Sequence, residues 1–395
     1  MRRRPFLLGC GCLAFAAAAG LRADEYDYQA PPRFTRPAAG TDEGGLWAFM
    51  DREEQRLRRS SFLIRDKTLH DYVNGIACRL AGDHCPEMRV YLVRTPYFNA
   101  SMAPNGMMQV WSGLLLRMQN EAQLAAVLGH EIGHYLQRHS VDRLRDVKNR
   151  SSFALIVGLA LSAAGAGANA GQLADLGIMA SMMAYGRDQE READRIGIAL
   201  MARSGYAPAE AGRVWGQLLE EYEGAKAAGE DVASTNILFA SHPPAEERRE
   251  VLAAAAKRDW PGAARTGADE YRGVLTAHRM NFLYDEVRRR RFGESLVLFD
   301  RLLKASPRDG QVQFFKGEAY RLRGREGDTK LALEAYRASL EMDGTPPEVH
   351  RSLGTVLRQT GDNAEAARAF QRYLELKPDA EDAELIRSYL TGSQS

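Results

Sequence analysis

Two histidines and a glutamate stand within the pentapeptide His130-Glu131-Ile132-Gly133-His134. In a helix, residues four apart stack on one face, one turn from each other. Two imidazole nitrogens so placed can reach one zinc ion at about 2.0–2.1 Å. Glu131, beside them, can take a proton from a zinc-activated water. Apolar Leu124, Val127 and Leu128 precede the motif, as expected of a buried helix. Gly129 and Gly133 each cost that helix about 1 kcal/mol relative to alanine. Glycines at that expense beside the histidines point to the close approach of another element.

A catalytic zinc needs a third protein ligand and an open position for water. A third histidine ten residues after His130 would mark the metzincin pattern; that position is Ser140, so the pattern is excluded. His139 on a continuous helix stands about 180° from His130 and reads as structural. The better third ligand lies in the acidic stretch Asp188-Gln189-Glu190-Arg191-Glu192-Ala193-Asp194, just ahead of apolar Ile196, Ile198 and Leu200. Glu190 and Asp194 share a helical face. Glu190 can bind the metal while Asp194 hydrogen-bonds a ligand imidazole. Glu192 points elsewhere.

Several elements must carry these residues. Asn120 with Gln123 three positions on is a capping-box arrangement, predicting a helix from there to about residue 147. Leu69, Tyr72, Val73, Ile76 and Leu80 give one buried helical face. Residues 88–93 are β-rich, and Asn105-Gly106 is a turn signal ahead of a second short strand over 107–111.

The whole chain has 395 residues, is 45% apolar and 27% charged, and carries a formal charge of +1. Such a composition is that of a globular protein of two or three domains, without the basic excess of a nucleic-acid binder. Residues 1–23 read as an export signal: Arg2-Arg3-Arg4, an uncharged apolar run, then Arg22-Ala23. Arg3-Arg4-Pro5-Phe6-Leu7 resembles the twin-arginine export motif. Cys10 and Cys12 leave with that signal; the remaining pair, Cys78 and Cys85, suggests a disulfide, with two unpaired thiols as the alternative. Residues 24–45, rich in proline and glycine, read as an extended linker. Residues 151–174 carry no charge, and 153–164 are strongly apolar. Glycines and polar residues interrupt the run, so a buried or membrane-facing helical hairpin is expected rather than a span.

From about residue 267 the sequence repeats. Phe299, Tyr336 and Phe370 are separated by 37 and 34 residues, and Pro307, Pro346 and Pro378 follow them. Residues 294–307, 331–346 and 364–378 are three versions of one helix; 311–323 and 348–360 are partner helices. The period and the closing proline resemble the tetratricopeptide repeat. Arrays of that kind stack into a solenoid and offer a concave face to a partner. The fold class expected is mainly α: an α-rich zincin-like peptidase domain with a small β-sheet over 46–266, then an α-solenoid over 267–395.

His130-Glu131-Ile132-Gly133-His134, the preceding run from Asn120 to Gly129, and Glu190-Arg191-Glu192-Ala193-Asp194 together resemble the Ste-type zinc peptidases. The repeat tail is similar to that of soluble periplasmic members. The resemblance implies His130, His134 and Glu190 as ligands of one zinc ion per chain and Glu131 as the base. The position of Asp194 is sometimes described as a proton donor there; a partner to imidazole is the preferred reading. A Ser-His-Pro segment can add a ligand in that family, and Ser241-His242-Pro243 matches it. His242 is thus a zinc ligand that plugs the site, a transition-state donor or a corner residue. Residues 99–106 match the loop before the family's active-site edge strand, which makes 107–111 the edge along which an extended peptide would lie. The resemblance also implies a periplasmic enzyme acting on unfolded or misassembled outer-membrane barrel proteins, with the beta-barrel assembly machinery as partner of the repeats. The competing class is a chaperone or adaptor in which the repeats do the work and proteolysis is rare. Peripheral contact of 151–174 with a membrane is a further expectation.

Overall fold

The computed structural model describes residues 28–149, 185–232, 245–262 and 264–391. The signal at 1–23, the apolar stretch 151–174 and Ser241-His242-Pro243 lie outside them. No helix among the described residues is long and apolar enough to cross a membrane.

The peptidase-like part is built around α4 (Glu121–Leu136), whose residues are buried on nearly every side. A helix apolar all round belongs inside a core rather than on its surface. Its start is fixed as the cap residues require. Asn120 accepts from the Gln123 amide (2.8 Å), and the Gln123 side chain accepts from the Gln119 amide (2.9 Å). Both side-chain amides also donate to buried Glu210. The helix stops at Leu136, short of the expected 147, because Arg138 takes a left-handed φ of 58°. A separate helix, α5 (His139–Asn149), follows.

Before α4 come α1 (Asp42–Arg59), α2 (Lys67–Ala81), and strands β1 (Arg89–Val93), β2 (Ala100–Met102) and β3 (Met107–Trp111), then short α3 (Ser112–Arg117). Leu69, Val73, Ile76 and Leu80 are buried on α2 as their spacing demands. Cys78 and Cys85 form a disulfide. The sheet order is β1-β3-β2, β1 parallel and β2 antiparallel to β3. The expected edge strand is therefore the central one. β2, which is only three residues long and too short to show alternation, takes the margin. Gly106, at φ 88°, closes the β2–β3 hairpin; a Cβ there would lie 2.1 Å from the Glu87 carbonyl oxygen. Residues 28–41 have no regular structure, yet they pack: the Phe34 ring sits 5.2 Å from Tyr135, and the Pro31 carbonyl meets His84 at 2.8 Å.

After α4 and α5, the described helices are α6 (Arg187–Arg203), α7 (Ala209–Ala227) and α8 (Ala245–Asp259). Seven more follow: α9 (Ala268–Arg288), α10 (Phe292–Ala305), α11 (Gly310–Arg323), α12 (Asp328–Leu340), α13 (Glu348–Gln359), α14 (Asn363–Leu376) and α15 (Ala383–Thr391). Phe299, Tyr336 and Phe370, the periodic aromatics, are all buried. Tyr336 seats against Gly317 and Phe370 against Gly354, where an added Cβ would stand 2.5 and 2.8 Å from the rings. One hydrophobic core runs from α2 through α4 into the repeats. Helix α9 links the two parts: Tyr271 donates to the Leu115 carbonyl at 2.7 Å. Buried Arg117 of α3 bridges Glu286 of α9 (3.0 Å) and Glu221 of α7 (2.6 Å).

Burial pushes the Glu286 carboxyl up, but Arg117, Arg289 and Ser295 outweigh it and hold its pKa at about 2. A carboxyl depressed on folding adds stability above its unfolded value of about 4.5 and loses it as pH falls towards 2. Acid titration of the full chain, followed by circular dichroism, should show stability falling across that window. Glu286→Gln should flatten the dependence while lowering neutral-pH stability by about 3–5 kcal/mol, because it strips a buried ion pair of one partner.

Candidate metal centre and active site

Helices α4 and α6 meet backbone to backbone. A Cβ on Gly129 would lie 3.1 Å from the Gly197 carbonyl, and one on Gly133 would lie 2.9 Å from that of Ala193. From the other side, a Cβ on Gly197 would lie 2.8 Å from the His130 amide nitrogen. That contact sets the first turns of α6 against the histidines of α4. It accounts for the glycines whose helix cost was evident in the sequence.

The result is a buried triangle of donors: His130, His134 and Glu190. The His130 and His134 Nε2 atoms are 3.1 Å apart. Glu190 oxygens lie 3.3 Å from His134 Nε2 and 3.4 Å from His130 Nε2. Ligands at about 2.0–2.1 Å around a tetrahedral ion stand about 3.3–3.4 Å from each other, so the triangle has the size of one face of such a site. Charge fits as well. With both imidazoles neutral, as metal ligands are, Glu131, Glu190 and Asp194 against one guanidinium leave two formal negative charges, the complement of a dication.

Asp194 accepts from His130: Oδ1 lies 2.9 Å from Nδ1, which leaves Nε2 to face the triangle. Burial pushes the Asp194 carboxyl up, yet Arg248 and His130 hold it below the usual carboxylate range. Burial and the Arg248 charge press His130 down, but its bonds to Asp194 and Glu190 raise it to about 9. Glu131 is buried and lines the same crevice as His130 and Asp194, with Phe98, Ala100 and Trp215 as apolar walls.

Four side chains around the site make contacts that escaped the sequence. Arg248 of α8 grips Asp194 with two bonds (2.7 and 2.5 Å), reaches Glu190 at 3.0 Å, and lies over the Trp215 ring at 3.6 Å. Its signal was its line: Arg248 shares a helical face with buried Leu252, Ala255 and Ala256. Tyr185 stacks on His134 with centroids 3.8 Å apart. His139, expected to face away, comes within 2.8 Å of His134 because α4 breaks before it. It is not one of the three donors. Glu192, also expected to point elsewhere, meets His139 at 3.3 Å. His242 lies outside the described residues.

Two histidines of a HEXXH helix and a glutamate from a second helix crossing it make up the donor set of two histidines and one glutamate used by zinc metallopeptidases. Residues 63–256 match the model of peptidase family M48, and 282–327 and 321–381 match the tetratricopeptide repeat. This chain carries an M48 peptidase domain followed by tetratricopeptide repeats. It is 30% identical over 191 residues to the beta-barrel assembly-enhancing protease of Escherichia coli K12, covering 44% of this chain and 39% of that one. It is 31% identical over 164 residues to the metalloprotease YcaL of the same bacterium, covering 40% and 58%. With the mitochondrial metalloendopeptidase OMA1 of Schizosaccharomyces pombe it shares 28% over 160 residues, covering 40% and 44%. The chain spans about two fifths of the length of the beta-barrel assembly-enhancing proteases it matches.

Gly133→Ala should gain about 1 kcal/mol of helix propensity and lose more than that to the clash with Ala193. Lower thermal stability together with weaker zinc uptake is the expected result; a stabilised protein with unchanged uptake would refute the account of the crossing. Glu190→Gln should deplete bound metal, measured by elemental analysis after dialysis, more than Glu192→Gln does.

Proposed function

We propose that this chain is an exported zinc endopeptidase that cleaves extended segments of misfolded or misassembled outer-membrane proteins in the periplasm. The observation that carries the reading is the donor triangle of His130, His134 and Glu190 with Glu131 beside it in an open-sided apolar crevice. A zinc ion held there would polarise the scissile carbonyl and acidify a water. Glu131 accepts the attacking water's proton and delivers it to the leaving amine nitrogen. Asp194, kept ionised, orients His130 rather than donating a proton. Arg248 clamps Asp194 and Glu190 so that both carboxylates keep their direction. A peptide adds to the sheet at β2, whose Ala100 lines the crevice with His130 and Glu131.

The names of the relatives support the substrate class. The repeats, in this reading, recruit either the substrate or the barrel-assembly machinery, since stacked repeats present a concave surface to a partner. The adaptor alternative differs in one respect: it needs no cleavage.

The test is digestion of an unfolded outer-membrane barrel protein by the purified full chain. Wild type should cleave it, and Glu131→Gln should keep its zinc while losing about 10²–10⁴ of the rate. Equal rates in the two proteins would remove Glu131 from the mechanism. A zinc-loaded wild type that binds the barrel protein without cutting it would favour the adaptor. Arg248→Ala should lower the rate with zinc still bound, because Asp194 and Glu190 lose the clamp that fixes their direction.

A further inference from the structure

His134 is held from the side opposite the donor triangle by groups that the reaction does not use. His139 Nδ1 lies 2.8 Å from His134 Nδ1, and His139 Nε2 lies 3.3 Å from Glu192 Oε2. His139 is buried, whereas the Glu192 side chain is 39% exposed, so the chain of contacts runs from the site to the surface. The other Glu192 oxygen faces Arg195 at 3.8 Å.

The backbone is bent to make this arrangement. On a continuous helix His139 would stand about 140° around the axis from His134. The break at Gln137 and Arg138 swings it back. Arg138 carries the left-handed φ of 58° without being a glycine, a conformation costing roughly 1–2 kcal/mol. Its side chain is secured over the Phe34 ring at 5.4 Å and by an ion pair with Glu43. Strain kept at a functional site by surrounding contacts is a pointer to a role.

The proton count then has one solution. A histidine that presents Nε2 to a metal carries its proton on Nδ1. His134 Nδ1–H donates to His139 Nδ1, which puts the His139 proton on Nε2, from which it is donated to Glu192. An ionised carboxylate only accepts, so Glu192 sets the direction of the whole chain. The reverse direction would place a proton on His134 Nε2 and block that donor.

We propose that His139 and Glu192 are positioning residues of the metal centre: Glu192 fixes the tautomer of His139, which in turn fixes that of His134 with its Nε2 lone pair in the donor triangle. The inference rests on the metal reading of that triangle. It assigns to a second histidine and a surface glutamate the task that a single carboxylate performs for His130 through Asp194.

Zinc affinity of the purified full chain, measured by competition with a chelator, tests it alongside the thermal midpoint of the metal-free protein. His139→Leu should weaken zinc binding by about 10–100-fold. His139→Asn, whose side-chain oxygen can occupy the Nδ1 position as acceptor, should recover most of that loss. Glu192→Ala, a change at the surface end, should weaken binding by about tenfold with the metal-free midpoint unchanged. Zinc affinity within twofold of wild type in both His139→Leu and Glu192→Ala would overturn the proposal. So would equal losses in His139→Leu and His139→Asn, since the hydrogen bond would then not be the cause. A wild-type chain that takes up no zinc is a separate result: it overturns the metal reading of the triangle itself.

Discussion

Everything chemical in this protein depends on how closely α4 and α6 approach. Side chains normally hold packed helices 8–10 Å apart. Here glycine faces glycine and alanine, and the contact is between backbones. Only at that separation can a glutamate and an aspartate, each on a short stem, reach two histidines on the neighbouring helix. The helix pays a propensity cost at Gly129 and Gly133, and the donor triangle is what that cost secures.

Around the triangle, each metal-facing imidazole has a partner behind it, and the two partners differ in kind. His130 is backed directly by Asp194, which Arg248 grips in turn. His134 is backed by a ring, by the stack of Tyr185, and only beyond them by a carboxylate. Arg248 arrives on α8, a helix laid against α7, and α7 in turn packs against α10 through Gly224 and Gly293. The repeats are thus built onto the same wall that brings Trp215 and Arg248 to the crevice. Buried Arg117, shared between Glu221 and Glu286, ties that wall to α3 and α9. Among the described residues one continuous core joins the two halves of the chain.

Much of this was legible in the residues alone, where the information is local. The HEXXH pentapeptide and the Glu190–Asp194 pair depend on helical spacing, which is a property of the chain itself. The Asn120 cap, the strand at Met107–Trp111, the buried face of α2 and the periodic aromatics are local for the same reason. The glycines beside the histidines even announced that a second element must come close. They could not say which one.

What tertiary structure alone decided is where local signals are weak or split. β2 is too short to alternate, so the strand beside it looked like an edge when it is the centre of the sheet. Helix α9 buries Tyr271, Leu275, Phe282 and Val287 against the peptidase part on one side and the repeats on the other. Its apolar residues are therefore spread around the axis, and no single stripe reveals it. The left-handed turn at Arg138 carries no glycine to betray it; the Arg138 side chain is held by Phe34 and Glu43, far away in sequence, and the turn makes His139 a neighbour of His134. Arg248 reads as one charge among many on an acidic-basic helix until Asp194 and Glu190 are brought against it. Spacing along one helix determined which residues could bind a metal, because backbone geometry is repeated and local. Which groups stand behind them was set by contacts between segments whose separation along the chain leaves no periodic trace.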